Sequence, residues 1–234
     1  MGKVTDRNDL IIVGMLGSIL YATSDWIMMY GDPTSLSAKS SWFTKGTAQI
    51  SDWRYILAMI LSYPGTILYA IGLFSFERYI PQEKHKKMFH CLNIINLTTW
   101  MTLHLIFIII MYAFHFMMTN GYSDVAIPIS EALYTHFSWI LPMSFLYMFP
   151  FFIYFFILIV TGRTTFKRKM GFAYMFPIAI ISFIIAGILP DSAFKKGFIN
   201  AAVNQSIFIS FFIFYLHSYF ISISGKKTKP SKKK

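Results

Sequence analysis

Charge is scarce in this sequence: 13% of its 234 residues are Asp, Glu, Lys or Arg, and only ten are acidic. A soluble domain carries about a quarter charged residues. With 56% of residues hydrophobic, a water-soluble globule is excluded and an integral membrane protein is expected. The single cysteine, Cys91, rules out an intrachain disulfide, CxxC chemistry and a Cys-rich zinc site; it reads as a structural thiol near one end of a helix. Also missing are HExxH, a Gly-rich phosphate loop, a dinucleotide fingerprint and a haem motif, so no cofactor is expected. Nine prolines and thirteen glycines leave little room for flexible linkers. One membrane domain over 10–224 is expected, between short tails at 1–9 and 225–234.

What the sequence has in quantity is apolar length. Residues 89–118 contain no Gly, Pro or formal charge. As a helix at ~1.5 Å per residue this run spans about 45 Å, more than the ~30 Å hydrocarbon core. At ~100° per residue, Asn93, Asn96, Trp100, His104, Met111 and His115 share one arc of about 100°, opposite Ile95, Thr102, Ile106, Ile109 and Ala113. Lipid can cover the second face but not two amides and two imidazoles, so the polar stripe is expected to face other helices or water.

Five further apolar runs, at 10–30, 55–76, 130–161, 171–189 and 203–224, complete an all-α, polytopic membrane bundle of six transmembrane helices. In the first, Gly14, Ser18, Tyr21 and Asp25 share a face; in the second, Gly65, Tyr69 and Gly72 offer another. Such small-residue faces permit close helix contact. Pro64 falls inside the second run, and Pro142 and Pro150 interrupt the fourth.

The basic residues alternate between the two sides. Sixteen of 21 Lys and Arg fall in the tails and in the loops after the second and fourth runs; the others are Lys39, Lys45, Arg54, Lys195 and Lys196. By the positive-inside rule both termini are cytoplasmic. Reporter fusions after Met170 and Lys234 are expected to read inside and one after Tyr122 outside; an outside reading at Lys234 removes the six-span arrangement. The net charge of +11 is carried largely by these tails and loops. The terminal lysine run, at ~1 kcal/mol per residue near an anionic leaflet, reads as an anchor on anionic lipid headgroups. No aromatic-basic platform accompanies it, so nucleic acid is not an expected partner.

A shift of 113 residues aligns Leu20-Tyr21 with Leu133-Tyr134, Trp26-Ile27 with Trp139-Ile140, Pro64 with Pro177 and Leu103-His104 with Leu216-His217. That pairing is of the inverted-repeat kind found in transporters. Overall identity at this shift is no higher than so biased a composition gives, so the spacing leaves the repeat open.

The topology gathers ionisable groups near the outer interface: Asp25, His115, Glu131, His136 and Asp191. Carboxylate and imidazole are zinc-ligand types, but Glu131 and His136 are five residues apart and do not share a helical face, so no metal is expected. Ser18 with Asp25, or Ser138 with His136, would need a convergence of nucleophile and base that the sequence does not provide. Candidate cavity-lining residues are therefore Asp25, Asn93, Asn96, Trp100, His104, His115, Glu131 and His136. The expected role is binding or passing a small solute, ion or proton through a polar cavity lined by the third helix. An outer-face hydrolase acting on a lipid or amphipathic substrate, metal-dependent or not, is the alternative; a non-catalytic partner subunit is the third. Monomer and oligomer are both left open.

Two stretches carry a family resemblance. Ser24-Asp25-Trp26 through Gly31-Asp32, and Ser51-Asp52-Trp53-Arg54 leading into Gly65-x3-Tyr69-x2-Gly72, resemble a family of uncharacterised bacterial six-span membrane proteins. The resemblance implies a bacterial cell membrane and an unknown activity, and it transfers no catalytic residue.

Overall fold

Successive apolar runs pack side by side and leave their backbone hydrogen bonds within each helix, as a bilayer requires. In the computed structural model, which describes residues 9–227 and their side chains as far as 220, these runs form eight α-helices. They are α1 (Asp9–Met29), α2 (Lys45–Gln49), α3 (Asp52–Ser75), α4 (Glu83–Thr119), α5 (Ser123–Phe137), α6 (Ile140–Val160), α7 (Met175–Ile188) and α8 (Ala193–Lys227). The N-terminal tail, apart from Asp9, and most of the lysine-rich tail lie outside the described residues. Among those described there is no strand, only one isolated bridge between Ser35 and Thr44. The fold is an all-α polytopic bundle. Helices α1, α3, α4, α6 and α8 are long and apolar enough to cross a membrane.

Two expected runs differ in outline. The fifth shrinks to the 14 residues of α7, about 21 Å of helix, because 168–173 form a 3₁₀ turn instead. The fourth is longer and broken. Helix begins seven residues earlier than expected, at Ser123, and stops at Phe137 before restarting at Ile140. Pro142 explains the break: it has no N–H to return to the Ser138 carbonyl, and in the first turn of a new helix that loss costs little.

Glycine decides how closely α1 and α3 approach. A Cβ on Gly17 would lie 2.3 Å from the Tyr69 nitrogen and 2.7 Å from the Gly65 oxygen, and one on Gly72 would lie 2.3 Å from the Gly14 Cα. The two backbones are nearly in contact, which maximises dispersion where lipid offers no hydrophobic drive. Helix α8 closes on the same pair, with Phe211 against Gly14 and Trp26 against Gly197. The result is a slab of α1, α3 and α8, flanked by α7.

Helices α4, α5 and α6 form a second unit, in which α4 packs along both α5 and α6. The two units meet at both ends. At one end, Phe76, Phe89, Phe151, Phe155, Phe211 and Phe214 build an aromatic core. At the other, residues 30–51 fold over the bundle and insert Phe43 among Met28, Met29, Tyr55 and Phe114. This capping segment is fastened by a Thr44–Thr47 capping box on α2 and by Arg54, whose guanidinium donates to the Ile27 and Tyr30 carbonyls at 2.6 Å each. Between the two cores lie Asp25, His104 and Asn204.

Candidate functional site

The polar arc of α4 faces inward: Asn93, Asn96, Met111 and His115 are buried, while Ile95 and Ile109 are exposed. Facing α4 is Asp25, which lies about one turn before the end of α1 and is itself buried. Asn204 of α8 donates from Nδ2 to Asp25 Oδ2 at 2.7 Å. His104 Nε2 points at the other oxygen, Oδ1, from 3.7 Å, beyond hydrogen-bond length. The His104 ring rests on Tyr21, with centroids 4.5 Å apart. Among the described residues no lysine or arginine lies within 4.0 Å of the Asp25 carboxylate.

His104 separates two cavities. One, of about 160 Å³, is lined by Asp25, Asn200 and Asn204 together with Trp42, Trp100, Phe107 and Phe145. It opens where α6 and α8 fail to pack closely. The second, of about 180 Å³, lies between α1, α3 and α4 and is lined by Tyr21, Ser62, Thr66 and Thr102, with His104 again in its wall. An apolar cavity of about 150 Å³ can hold a benzene molecule, so each has room for a small ligand. Above the first, a groove of about 530 Å³ runs between the capping segment and the start of α8. Ser41 and Lys196 line that groove, while Trp42, next to Ser41, and Asn200, one turn on from Lys196, line the cavity. Lys196 Nζ donates to the Ser41 carbonyl, tying the two walls together.

Nearer the opposite end, Asn93 and Asn96 are wholly buried, and among the described residues neither end of either amide is hydrogen-bonded. Tyr69 Oη faces Asn96 without closing to a bond, and Tyr174 Oη is likewise unpaired. These groups sit beside the large aromatic core and do not line the cavity that holds Asp25.

The remaining candidates from the sequence go elsewhere. His115 is fixed in the capped end, with Nδ1 3.0 Å from the Ala48 carbonyl and Nε2 2.6 Å from Asp52 Oδ1. Glu131 accepts from Ser37 Oγ at 2.6 Å and from the Ala38 N–H at 3.0 Å, pinning the capping segment to α5. His136 is exposed beside Phe137. Asp191 accepts from Lys195 Nζ at 2.8 Å, and that bond and charge hold its carboxyl below the usual carboxylate range. Among the described residues no three of His, Cys, Asp and Glu gather as a metal-ligand group. Ser18 donates to the Gly14 carbonyl and Ser138 to Thr135, so both hydroxyls turn back onto their own helices.

Sequence reasoning named Asp25, Trp100 and His104 but missed Asn200, Asn204 and Trp42. The signal for the two asparagines was their i, i+4 spacing in an apolar context. With the sixth run drawn from 203, Asn200 fell outside it and Asn204 at its edge; α8 starts ten residues earlier, at Ala193. Trp42 comes from a loop, and only its tertiary fold places it.

Residues 4–220 match a family of unknown function, DUF6796. No curated protein and no solved structure matches the chain.

Proposed function

The chain belongs to this family of unknown function, and we propose that it binds or passes a small solute, ion or proton through the polar cavity lined by α4. The observation that carries this reading is the Asp25 carboxylate, held by Asn204 at the wall of a cavity and matched by no lysine or arginine within 4.0 Å among the described residues. A charged group at membrane depth is costly, and its usual justification is a ligand, an ion pathway or a proton relay. His104 adds a group that both donates and accepts hydrogen bonds. The order of groove, Asp25 cavity, His104 and second cavity supports movement from the capped end inward. The capped end is then the outer one. The resemblance of the Ser24–Asp32 and Ser51–Gly72 stretches supports a bacterial cell membrane, and the terminal lysines support contact with anionic headgroups.

His104 variants test this reading. Wild type, His104→Leu and His104→Asn are compared for thermal stability in detergent and for proton flux in proteoliposomes between pH 5 and 8. His104→Leu is expected to stay within about 1 kcal/mol of wild type, since His104 Nε2 has no hydrogen-bond partner among the described residues and even a formed interhelical bond averages only ~0.6 kcal/mol, while flux changes several-fold. His104→Asn keeps a polar side chain that can donate and accept but cannot titrate; if only the pH dependence of flux disappears, His104 carries protons. Loss of folding in His104→Leu, with unchanged flux per folded molecule, makes His104 a packing residue and removes the reading.

A further inference from the structure

We infer that the cavity between α4, α6 and α8 is a binding site for a small organic monocation, an amine bearing methyl or short alkyl groups, whose charge rests against Asp25. The inference rests on the proposed solute-binding role and names its ligand class. Four observations lead to it.

The first is an uncompensated carboxylate. Asp25 receives one neutral donor, Asn204 Nδ2, and His104 stays 3.7 Å away. The nearest cation along α8, Lys196, lies two turns above Asn204 and is engaged by the Ser41 carbonyl. Burying a carboxylate this way is costly unless it takes up a proton or an opposite charge accompanies it; among the described residues no lysine or arginine lies within 4.0 Å, and His104, at 3.7 Å, is a cation only when protonated.

The second is the wall. Trp42, Trp100, Phe107 and Phe145 line the same space, and Trp42 and Phe107 brace each other edge to face at 4.6 Å. Aromatic rings around a carboxylate attract alkylated ammonium groups, through the ring quadrupole and through contact with the methyls. An anion would meet the wrong charge here. A neutral apolar guest would leave the carboxylate unmatched.

The third is the shortage of oxygen. Calcium takes six to eight oxygen ligands and magnesium near-ideal octahedral geometry. This cavity offers one carboxylate and the amides of Asn200 and Asn204, one of which is already turned to Asp25. A hard divalent ion is therefore disfavoured against a soft, weakly hydrated cation.

The fourth is size. About 160 Å³ suits a head of the tetramethylammonium type, and long chains do not fit without movement of α6 or α8.

The test uses the full chain purified in detergent. Equilibrium dialysis with radiolabelled choline is compared with 3,3-dimethylbutan-1-ol, which has the same shape and no charge. Expected results are saturable choline binding competed by tetramethylammonium, at least tenfold preference over the neutral alcohol, and at least tenfold loss in Asp25→Asn. Trp42→Leu, in the loop, is expected to weaken choline about fivefold and the alcohol hardly at all; it serves if Asp25→Asn does not fold. Equal binding of choline and the alcohol overturns the cation assignment while leaving a solute cavity in place. Choline binding unchanged in Asp25→Asn or in Trp42→Leu also overturns it, since the cation then sits elsewhere. Binding of neither probe by folded wild type overturns the ligand class, and the His104 flux series then decides separately whether the cavity conducts.

Discussion

Gly17→Ala lowers the stability of the bundle by about 3 kcal/mol, the upper part of the usual overpacking range, and Gly17→Leu yields no folded protein. The new Cβ meets the Tyr69 nitrogen at 2.3 Å, the Gly65 oxygen at 2.7 Å and the Leu68 carbonyl carbon at 2.8 Å. All three are backbone atoms of α3, so no side chain can rotate away and the helices must separate. Separation also loosens Gly14 from Gly72 and Phe211, which spreads the cost along the interface. Gly187→Ala is the internal control. A Cβ there meets nothing within 4 Å, and replacing a helical glycine by alanine removes an entropic penalty of up to about 1 kcal/mol. Thermal unfolding in detergent is expected to rank Gly187→Ala at or above wild type and Gly17→Ala well below it. Equal melting of the two variants contradicts the backbone contact between α1 and α3.

Asn204→Leu is expected to cost about 2–3 kcal/mol, more than removing an ordinary interhelical hydrogen bond. The leucine fills much of the space, so the loss is mainly electrostatic: Asp25 Oδ2 keeps its burial and loses its only donor among the described residues. Leaving a buried acceptor unsatisfied costs about 1–3 kcal/mol, and more when it is charged. Asp25→Leu made in the Asn204→Leu background removes the stranded group and is expected to recover most of the loss. The cycle of the two single variants and the double then gives a coupling of about 2 kcal/mol. A double variant whose loss equals the sum of the two single losses shows that the two side chains do not interact.

How far the sequence discloses this arrangement depends on the distance over which each signal acts. The inward face of α4 was legible because helical periodicity is local: Asn93, Asn96, Met111 and His115 are fixed by spacing alone, and the bundle buries all four. The close-packing faces of Gly14 and of Gly65 and Gly72 were legible for the same reason. Where the run at 130–161 begins and breaks was less so, because Pro142 permits either a kink within one helix or a restart between two. Position along the membrane normal also proved a poor guide to proximity. Asp25, His115, Glu131 and His136 were grouped by depth. Asp25 faces His104, while His115 and Glu131 secure the capping segment and His136 stands outside. Which depth-mates touch is decided by how the helices are rotated and ordered, and that ordering rests on contacts such as Gly17 to Tyr69 that no single run contains.

The partners Asp25 and Asn204 are separated by 179 residues, which sets a clock on biosynthesis. At 5–20 residues per second, α1 is made roughly 10 to 35 s before the helix that supplies its hydrogen bond. Through that interval the nascent chain already has the α1 and α3 sequences, whose glycine faces come from neighbouring segments, but its carboxylate has no donor. A chain truncated before residue 204 therefore carries the α1 and α3 sequences while the Asp25 carboxylate lacks Asn204. Completion of the last helix relieves that state. The same contact that shapes the cavity thus distinguishes a finished chain from an unfinished one.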